Sequence, residues 1–161
     1  MKTTPKNVSA SKMGPVEVTI AVKKFKDVLA TSAARGGGTG YAMKLRKGHP
    51  LAVIKSNDIH VKGPGATLRF TIASSGGDKN QYYPIGIAFV REGDASSSHA
   101  QRLGHLNFPK NQTVIDGRTL LVTDTFKDDA RNTRHEFSVV IQRGADGKIG
   151  IIDPGIVHEN E

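Results

Sequence analysis

The chain has 161 residues, a mass of 17.3 kDa and no cysteine. This length fits one domain, since domains commonly run to roughly 100–200 residues. The lack of cysteine excludes disulfides, thiolate zinc sites and a cysteine nucleophile. With 37% hydrophobic residues and a mean hydropathy of −0.36, the composition argues against a membrane bundle. No apolar run approaches the ~20 residues of a membrane-spanning helix.

The formal net charge is +8 and the isoelectric point is near 9.8. The excess lies in the first third, where ten Lys and Arg stand against Glu17 and Asp27 in residues 1–50. Two clusters carry it: Lys23, Lys24 and Lys26, then Lys44, Arg46 and Lys47. Clustered cations can attract nucleic acid, anionic lipid or an acidic protein, and they can also simply keep a domain soluble. The sequence leaves both interpretations open.

Residues 1–14 are polar and basic and lack the apolar stretch of a signal peptide. We expect this segment to be a disordered tail, because it holds too few apolar groups to offset its ordering entropy. Residues 15–161 are expected to form a single domain. We expect the protein to be cytoplasmic.

The first third of the domain shows two strand patterns. Val16, Val18, Ile20 and Val22 alternate with more polar residues, which predicts a strand with one buried face. The residues that follow have helical spacing and end near a glycine, so a short helix or a loop is expected there: Phe25, Val28, Leu29, Ala33 and Gly36. The alternation then resumes and predicts a second strand: Tyr41, Met43 and Leu45.

The middle of the chain continues in short strands. An apolar run at 51–54 and the pair Ile59 and Val61 precede a turn at 62–65. Leu68, Phe70 and Ile72 alternate with polar residues and predict a half-buried strand. Residues 85–90 are apolar at both parities, which is typical of a central strand covered on both faces. Gly86 within them predicts either a bulge or a close backbone approach.

Residues 93–112 show no period and are expected to form a long surface loop, and residues 126–134 a charged connection. Strand character resumes at 119–125. The strongest local pattern comes last, where Phe137, Val139 and Ile141 alternate, a glycine-containing turn occupies 144–147, and isoleucines return at 149–152. This pattern predicts a β-hairpin.

Seven to nine short strands with almost no helix predict an all-β fold. We expect an antiparallel β-sandwich, immunoglobulin-like or Greek-key, with at most one short helix. A small Greek-key barrel is the alternative.

The candidate chemical motifs are incomplete. The glycine-rich stretch from Arg35 to Gly40 lacks the Lys and Ser/Thr that follow a phosphate-binding loop, so it favours a flexible connection. The six histidines show no HExxH motif and no metal-ligand spacing. We therefore predict no cofactor, no metal site and no catalytic residue.

The last 27 residues, from His135, combine a strand, a glycine turn, a second strand and the segment Ile152-Asp153-Pro154-Gly155-Ile156. This arrangement resembles the DP-EP family of small bacterial proteins, with Asp153-Pro154 matching the first of the two pairs that give the family its name. Glu159 stands near the second pair but is followed by Asn160 rather than proline. The resemblance implies a bacterial β-sandwich domain and carries over no catalytic residues. Because Pro154 lacks an N–H, a strand should end there or lie at an edge.

Three functions follow as hypotheses. The first is a non-enzymatic binding or assembly module that self-associates through sheet edges or binds an acidic protein. The second is anion or nucleic-acid binding through the two basic clusters. The third is a small enzyme with its site in the 93–112 loop and His99 or His105 as the base.

Overall fold

The computed structural model describes residues 13–28, 38–63, 65–91, 110–115, 117–125 and 133–159. These residues form eleven β-strands and no helix, so the predicted all-β class is confirmed with more strands than the predicted seven to nine. In chain order the strands are β1 (Val16–Lys24), β2 (Gly40–Leu45), β3 (Ala52–Lys55), β4 (Asp58–Lys62), β5 (Ala66–Ser74), β6 (Tyr82–Arg91), β7 (Lys110–Ile115), β8 (Thr119–Asp124), β9 (Thr133–Arg143), β10 (Ile149–Ile152) and β11 (Gly155–Glu159). No helix capable of crossing a membrane occurs in this part of the chain.

The strands form two sheets that pack together as a sandwich. Sheet A has the order β2-β1-β5-β8-β7. Sheet B has the order β10-β9-β11-β4-β3, and β6 pairs with the other edge of β9.

Both sheets are mixed, whereas the sequence predicted antiparallel pairing throughout. β1 runs parallel to β5, with Val18 opposite Phe70, and β4 runs parallel to β11, with Ile59 opposite Ile156. The reason lies in the connections. The chain leaves sheet A after β2, builds β3 and β4 in sheet B, and returns as β5 beside β1. Such a crossover permits parallel pairing, which a hairpin cannot provide.

The core lies between the sheets, where the predicted alternation places it. Four alternating residues of β1 and three of β9 are at most 1% exposed: Val16, Val18, Ile20 and Val22, and Phe137, Val139 and Ile141. The Phe70 ring of sheet A lies 5.5 Å from the Phe137 ring of sheet B, centroid to centroid. Each such buried side chain stabilises the fold by about 1.5–3 kcal/mol relative to exposure.

β6 is an edge strand, so the predicted central position for residues 85–90 is wrong. Among the described residues β6 pairs only with β9, and the Ile85 side chain is 51% exposed. The ladder shifts register between Pro84 and Gly86, which confirms the predicted bulge. An edge position tolerates the exposed Ile85 side chain and the register shift. It also tolerates Pro84, which has no N–H to donate to a further strand.

The predicted hairpin at the C-terminal end is confirmed as β9 and β10, with Val139 opposite Ile152. Gly147 closes its turn at a φ of +72°, and its N–H donates to the Arg143 carbonyl at 2.8 Å. Arg143 also donates to both carboxylate oxygens of Asp146, at 2.9 and 2.7 Å. These hydrogen bonds lower the pKa of Asp146 to about 2.

β10 ends at Ile152, and Asp153 and Pro154 separate it from β11, as expected of a proline without an N–H. The Pro154 carbonyl accepts from Phe137 N at 3.0 Å, and Asp153 Oδ1 accepts from Ser138 Oγ at 2.6 Å. Tyr41 of sheet A donates its hydroxyl to the Asp153 carbonyl at 3.1 Å. The Asp-Pro segment is therefore a hydrogen-bonded junction between the two sheets.

The predicted short helix is absent from its described part. Residues 25–28 are not helical, and Val28 N donates to Ile149 O at 2.9 Å at the border of β10. Phe25 stacks on Tyr82, with ring centroids 5.6 Å apart, and Arg143 Cζ lies 4.4 Å from the Phe25 ring centroid. These tertiary contacts override the helical spacing.

Some predicted elements lie outside the described residues. These are the tail up to residue 12, residues 29–36 of the helix or loop, residues 93–109 of the long loop and residues 126–132 of the charged connection. The predicted loop is too long, since residues 110–112 belong to β7, and the predicted connection overlaps β9 at 133–134.

Candidate functional site

All six basic residues singled out from the sequence are exposed in the structure. Lys23 and Lys24 end β1, and Lys26 follows it. Lys44 lies in β2, and Arg46 and Lys47 follow that strand. Because β1 and β2 are antiparallel partners, the two sequence clusters lie toward opposite ends of one ladder.

The ladder brings three of these residues to the face of sheet A that points away from the core. Lys44 is opposite Thr19, and both have the parity of half-buried or exposed residues, whereas Ile20 and Met43 face inward. A register shift between Val22 and Lys24 places Lys24 opposite Gly40, which shares the parity of Lys44. A Cβ added to Gly40 would lie 3.4 Å from Lys24 Cβ, so both point to the same side. Arg46 has the same parity and donates its N–H to the Glu17 carbonyl at 2.9 Å. We call Lys24, Lys44 and Arg46 the basic stripe.

The stripe extends along one strand direction. At about 3.4 Å per residue, Lys24 and Lys44 are roughly 13 Å apart along the ladder, and Arg46 lies roughly 7 Å further. Such spacings are close to or above the screening length of about 8 Å at physiological salt, so the three charges repel one another only weakly. A linear polyanion matches this geometry better than a single small anion.

The surface beside the basic stripe carries short side chains and almost no acidic residues. The neighbouring outward side chains of β1, β2 and β5 are small and half-buried: Thr19, Ala21, Ala42, Thr71 and Ala73. In these three strands, which are described in full, the one acidic residue is Glu17, and it accepts from Arg69 at 2.8 Å. No aromatic side chain points outward from them by parity, so base stacking has no platform here.

The outer face of sheet B differs because its charges compensate one another locally. Glu159 Oε1 lies 2.7 Å from both Lys55 Nζ and His60 Nδ1. The hydrogen bond from Lys55, followed by that with His60, holds the pKa of Glu159 below its ordinary value. Arg134 donates from Nε and Nη2 to Asp58 at 3.1 and 3.2 Å, and from Nη1 to Glu136 at 3.0 Å. These ion pairs offset part of the positive charge of sheet B, whereas Lys24, Lys44 and Arg46 are exposed on sheet A.

The glycine-rich stretch from Arg35 to Gly40 is described only from Gly38 onward. A Cβ at Gly38 would lie 2.7 Å from the Ile151 carbonyl oxygen, and Thr39 N donates to that oxygen at 2.8 Å. Thr39 is buried, and its Oγ1 accepts from Lys26 N at 3.1 Å. The described part of this stretch thus approaches β10 closely and presents no open anion cradle.

A buried polar cluster was not found from the sequence. Asp124 Oδ2 lies 2.9 Å from His158 Nε2, with both side chains 0% exposed, and the rings of His158 and His135 are 5.0 Å apart. Asp124 belongs to sheet A and both histidines to sheet B. The alternation of inward and outward positions in β8 and β9 places Asp124 and His135 on the inward face, so the sequence could have predicted these two. His158 could not be predicted, because β11 was not predicted. His99 and His105, the predicted catalytic candidates, lie outside the described residues.

Within the described ranges, no group of three or more His, Asp or Glu side chains is arranged to hold a metal ion. The Asp124–His158–His135 cluster connects the two sheets, and all three side chains are buried.

Comparison with known proteins gives no family for this chain. No model of a known protein family matches it, and a search of curated proteins finds no significant match. The resemblance of residues 135–161 to the DP-EP family therefore stays a prediction.

Proposed function

We propose that this protein is a non-enzymatic binding module that holds the phosphate backbone of a nucleic acid on the outer face of sheet A. The observation that carries the proposal is the basic stripe, which lies exposed beside small side chains, while Glu17, the one acidic residue of β1, β2 and β5, is already paired to Arg69. Phosphate contacts require cations and hydroxyl or amide donors but no apolar anchor. Lys24, Lys44, Arg46 and the hydroxyls of Thr19 and Thr71 supply that chemistry.

The absence of outward aromatic residues in β1, β2 and β5 favours a duplex over a single strand. Single strands are usually held by bases stacked on aromatic side chains, whereas a duplex presents its phosphates outward and needs no stacking. The same absence argues against a protein partner, since protein interfaces are commonly anchored by aromatic side chains. Binding is expected to be independent of base sequence.

The test compares two triple variants with the same net charge. Lys24→Gln, Lys44→Gln and Arg46→Gln remove the stripe, whereas Lys55→Gln, Lys79→Gln and Lys148→Gln remove three exposed lysines elsewhere. Binding of a short DNA duplex is followed by fluorescence anisotropy over a series of salt concentrations. Each lost phosphate contact should reduce the slope of log K against log salt by about 0.9, so the stripe variant should lose up to about 3.

The control triple should keep the wild-type slope. Equal losses in both triples would assign binding to net charge alone and overturn the proposal. Absence of binding by the wild-type protein at low salt would overturn it as well.

Self-association through sheet edges is the second candidate function. β6 is a ten-residue edge strand, and β2 has one edge without a strand partner in the described structure. Both edges are blunted: Pro84 and the adjacent bulge interrupt β6, and Met43 N of β2 donates to Asn57 Oδ1 at 3.2 Å. The proline, the bulge and the Asn57 hydrogen bond disfavour the addition of another strand, so we rank self-association below nucleic-acid binding.

The finer expectations from the sequence belong to the same proposal. They are an immunoglobulin-like or Greek-key arrangement of the sandwich, bacterial origin and a cytoplasmic location. The parallel pairing of β1 with β5 and of β4 with β11 argues against a purely antiparallel Greek key, because such an arrangement contains no parallel ladder.

A further inference from the structure

A cavity of about 230 Å³ lies at the end of sheet A where β1 and β5 begin. Thr67, Arg69 and Leu121 contribute to it from strands of the sheet, with Arg69 and Leu121 directly opposite one another in the β5–β8 ladder. The chain before β1 and the connection between β2 and β3 complete the lining, through residues 13–15 and through His49 and Leu51.

His49 holds these two wall segments together. Its Nε2 lies 3.1 Å from the Gly14 carbonyl oxygen, and its Nδ1 lies 3.2 Å from Leu51 N. A carbonyl only accepts and a backbone N–H only donates, so Nε2 donates to Gly14 and Nδ1 accepts from Leu51. These hydrogen bonds join the segment before β1 to the connection between β2 and β3, and such pre-ordering reduces the entropy lost on binding.

The lining combines one cation with apolar walls. Arg69 gives an Nη1 hydrogen to Glu17 at 2.8 Å, its side chain is 40% exposed, and its guanidinium carries five N–H donors in all. Thr67 adds an exposed hydroxyl. Met13, Leu51 and Leu121 supply apolar surface. A cavity that offers a charged hydrogen-bond donor beside apolar surface suits a molecule with an anionic group and an apolar body.

We propose that this cavity binds a small organic carboxylate with an apolar body about the size of one ring. The carboxylate accepts hydrogen bonds from Arg69 and Thr67, and the body packs against Leu51 and Leu121. A dry cavity of about 150 Å³ takes benzene, so the volume here accommodates a ring with a carboxylate attached. This site goes beyond the proposed function, because no residue of the basic stripe lines the cavity.

The experiment titrates the full chain with benzoate and follows backbone amide shifts by NMR. We expect saturable shifts at Thr67, Arg69 and Leu121, and we expect benzamide, which has the same shape without the charge, to bind at least about tenfold more weakly. Arg69→Gln should weaken benzoate by at least about tenfold. Lys79→Gln removes an exposed charge outside the cavity and should leave the affinity unchanged.

A second variant is needed because Arg69→Gln also leaves Glu17 without its ion-pair partner. Thr67→Phe fills the cavity from an exposed strand position, retains the Arg69–Glu17 pair and should abolish the saturable shifts. The proposal is overturned if benzoate gives no saturable shift with the wild-type protein, if benzamide binds equally well, or if Lys79→Gln weakens binding as much as Arg69→Gln. None of these measurements involves DNA, so failure here is separate from failure of the proposed function.

Discussion

Asp124 and His158 meet across the interior of the sandwich, with Oδ2 and Nε2 2.9 Å apart and both side chains fully buried. Asp124 is the last residue of β8 in sheet A, and His158 lies in β11 of sheet B. The contact therefore connects the two sheets by a polar interaction within an otherwise apolar core. His135, next to His158, extends the polar region within sheet B.

Removing Asp124 should be destabilising. Asp124→Ala removes the hydrogen bond to the buried His158, and leaving a buried polar group without its partner costs about 1–3 kcal/mol. Urea unfolding of the variant and the wild-type protein measures the difference. Glu136→Ala is the control, because its partner Arg134 is shared with Asp58 and the Glu136 side chain is 60% exposed, so the loss should stay below about 1 kcal/mol. Equal losses in the two variants would contradict the assignment of a structural role to Asp124.

Gly155 makes room for the Asp58–Arg134 ion pair, since it lies opposite both Asp58 and Glu136 in its two ladders. A Cβ there would touch Asp58 Oδ1 and lie 2.5 Å from Arg134 Nη2. Gly155→Ala should displace Arg134 and cost about 1–3 kcal/mol, as overpacking usually does.

Gly77→Ala provides the control for that substitution in thermal or urea unfolding. Nothing lies within 4 Å of a Cβ at Gly77, and its φ is not in the left-handed region. This variant should be neutral or stabilising by up to about 1 kcal/mol. If the Gly155→Ala protein is as stable as the Gly77→Ala protein, the prediction is wrong and Arg134 adopts another side-chain conformation at no cost in stability.

The parts of the fold that the sequence predicted correctly are those decided by local polarity. Val18 and Phe137 alternate with polar neighbours, and water on one side of a strand enforces that pattern wherever the strand is placed. β6 was misplaced because polarity does not report pairing. Ile85 is apolar yet 51% exposed, which a folded surface tolerates. β11 was missed because a proline precedes it and the buried His158 interrupts its apolar pattern.

The candidate site was predicted in composition but not in arrangement. Lys24 and Lys44 were listed in separate clusters, and only the β1–β2 register, with its shift after Val22, places them on one face. The lining of the cavity was not predicted at all, because Arg69, His49 and Met13 come from three segments that meet only in the folded chain. Long-range pairing of this kind leaves no local pattern in a single sequence.

Tyr82 should titrate later than an ordinary tyrosine. Burial and then the hydrogen bond that its hydroxyl donates to Asp78 Oδ2, at 2.5 Å, raise its pKa from 10.0 to about 12. Because the folded state holds the phenol proton more tightly, this contribution to stability is complete below pH 10 and is lost as the pH rises through about 12.

Phenolate absorbance over an alkaline titration checks this order. Tyr82→Phe should remove the last ionisation step and reduce the loss of stability at high pH, at a cost of about 0.5–1.5 kcal/mol near neutrality for the lost hydrogen bond. Tyr83→Phe is the matched control, since its hydroxyl bonds only to the exposed Gln81. Burial also raises the pKa of Tyr41, so the readout is the number of late-titrating phenols. An alkaline titration with as many late-titrating phenols in Tyr82→Phe as in the wild-type protein would contradict the assignment.

Asn57 should control whether the β2 edge recruits another chain. Its Oδ1 accepts from Met43 N at 3.2 Å, and its φ is +65°, in a tight turn with Ser56 at +47°. Asn57→Gly keeps this backbone conformation, which glycine adopts freely, but removes the acceptor and leaves an edge N–H open. We expect the variant to show more association than the wild-type protein in light scattering at high concentration. Ser56→Gly changes the neighbouring turn residue without touching Met43 and should behave as the wild-type protein does. If Asn57→Gly stays as monodisperse as Ser56→Gly, the side-chain cap is not what protects the β2 edge, and self-association through that edge loses its support.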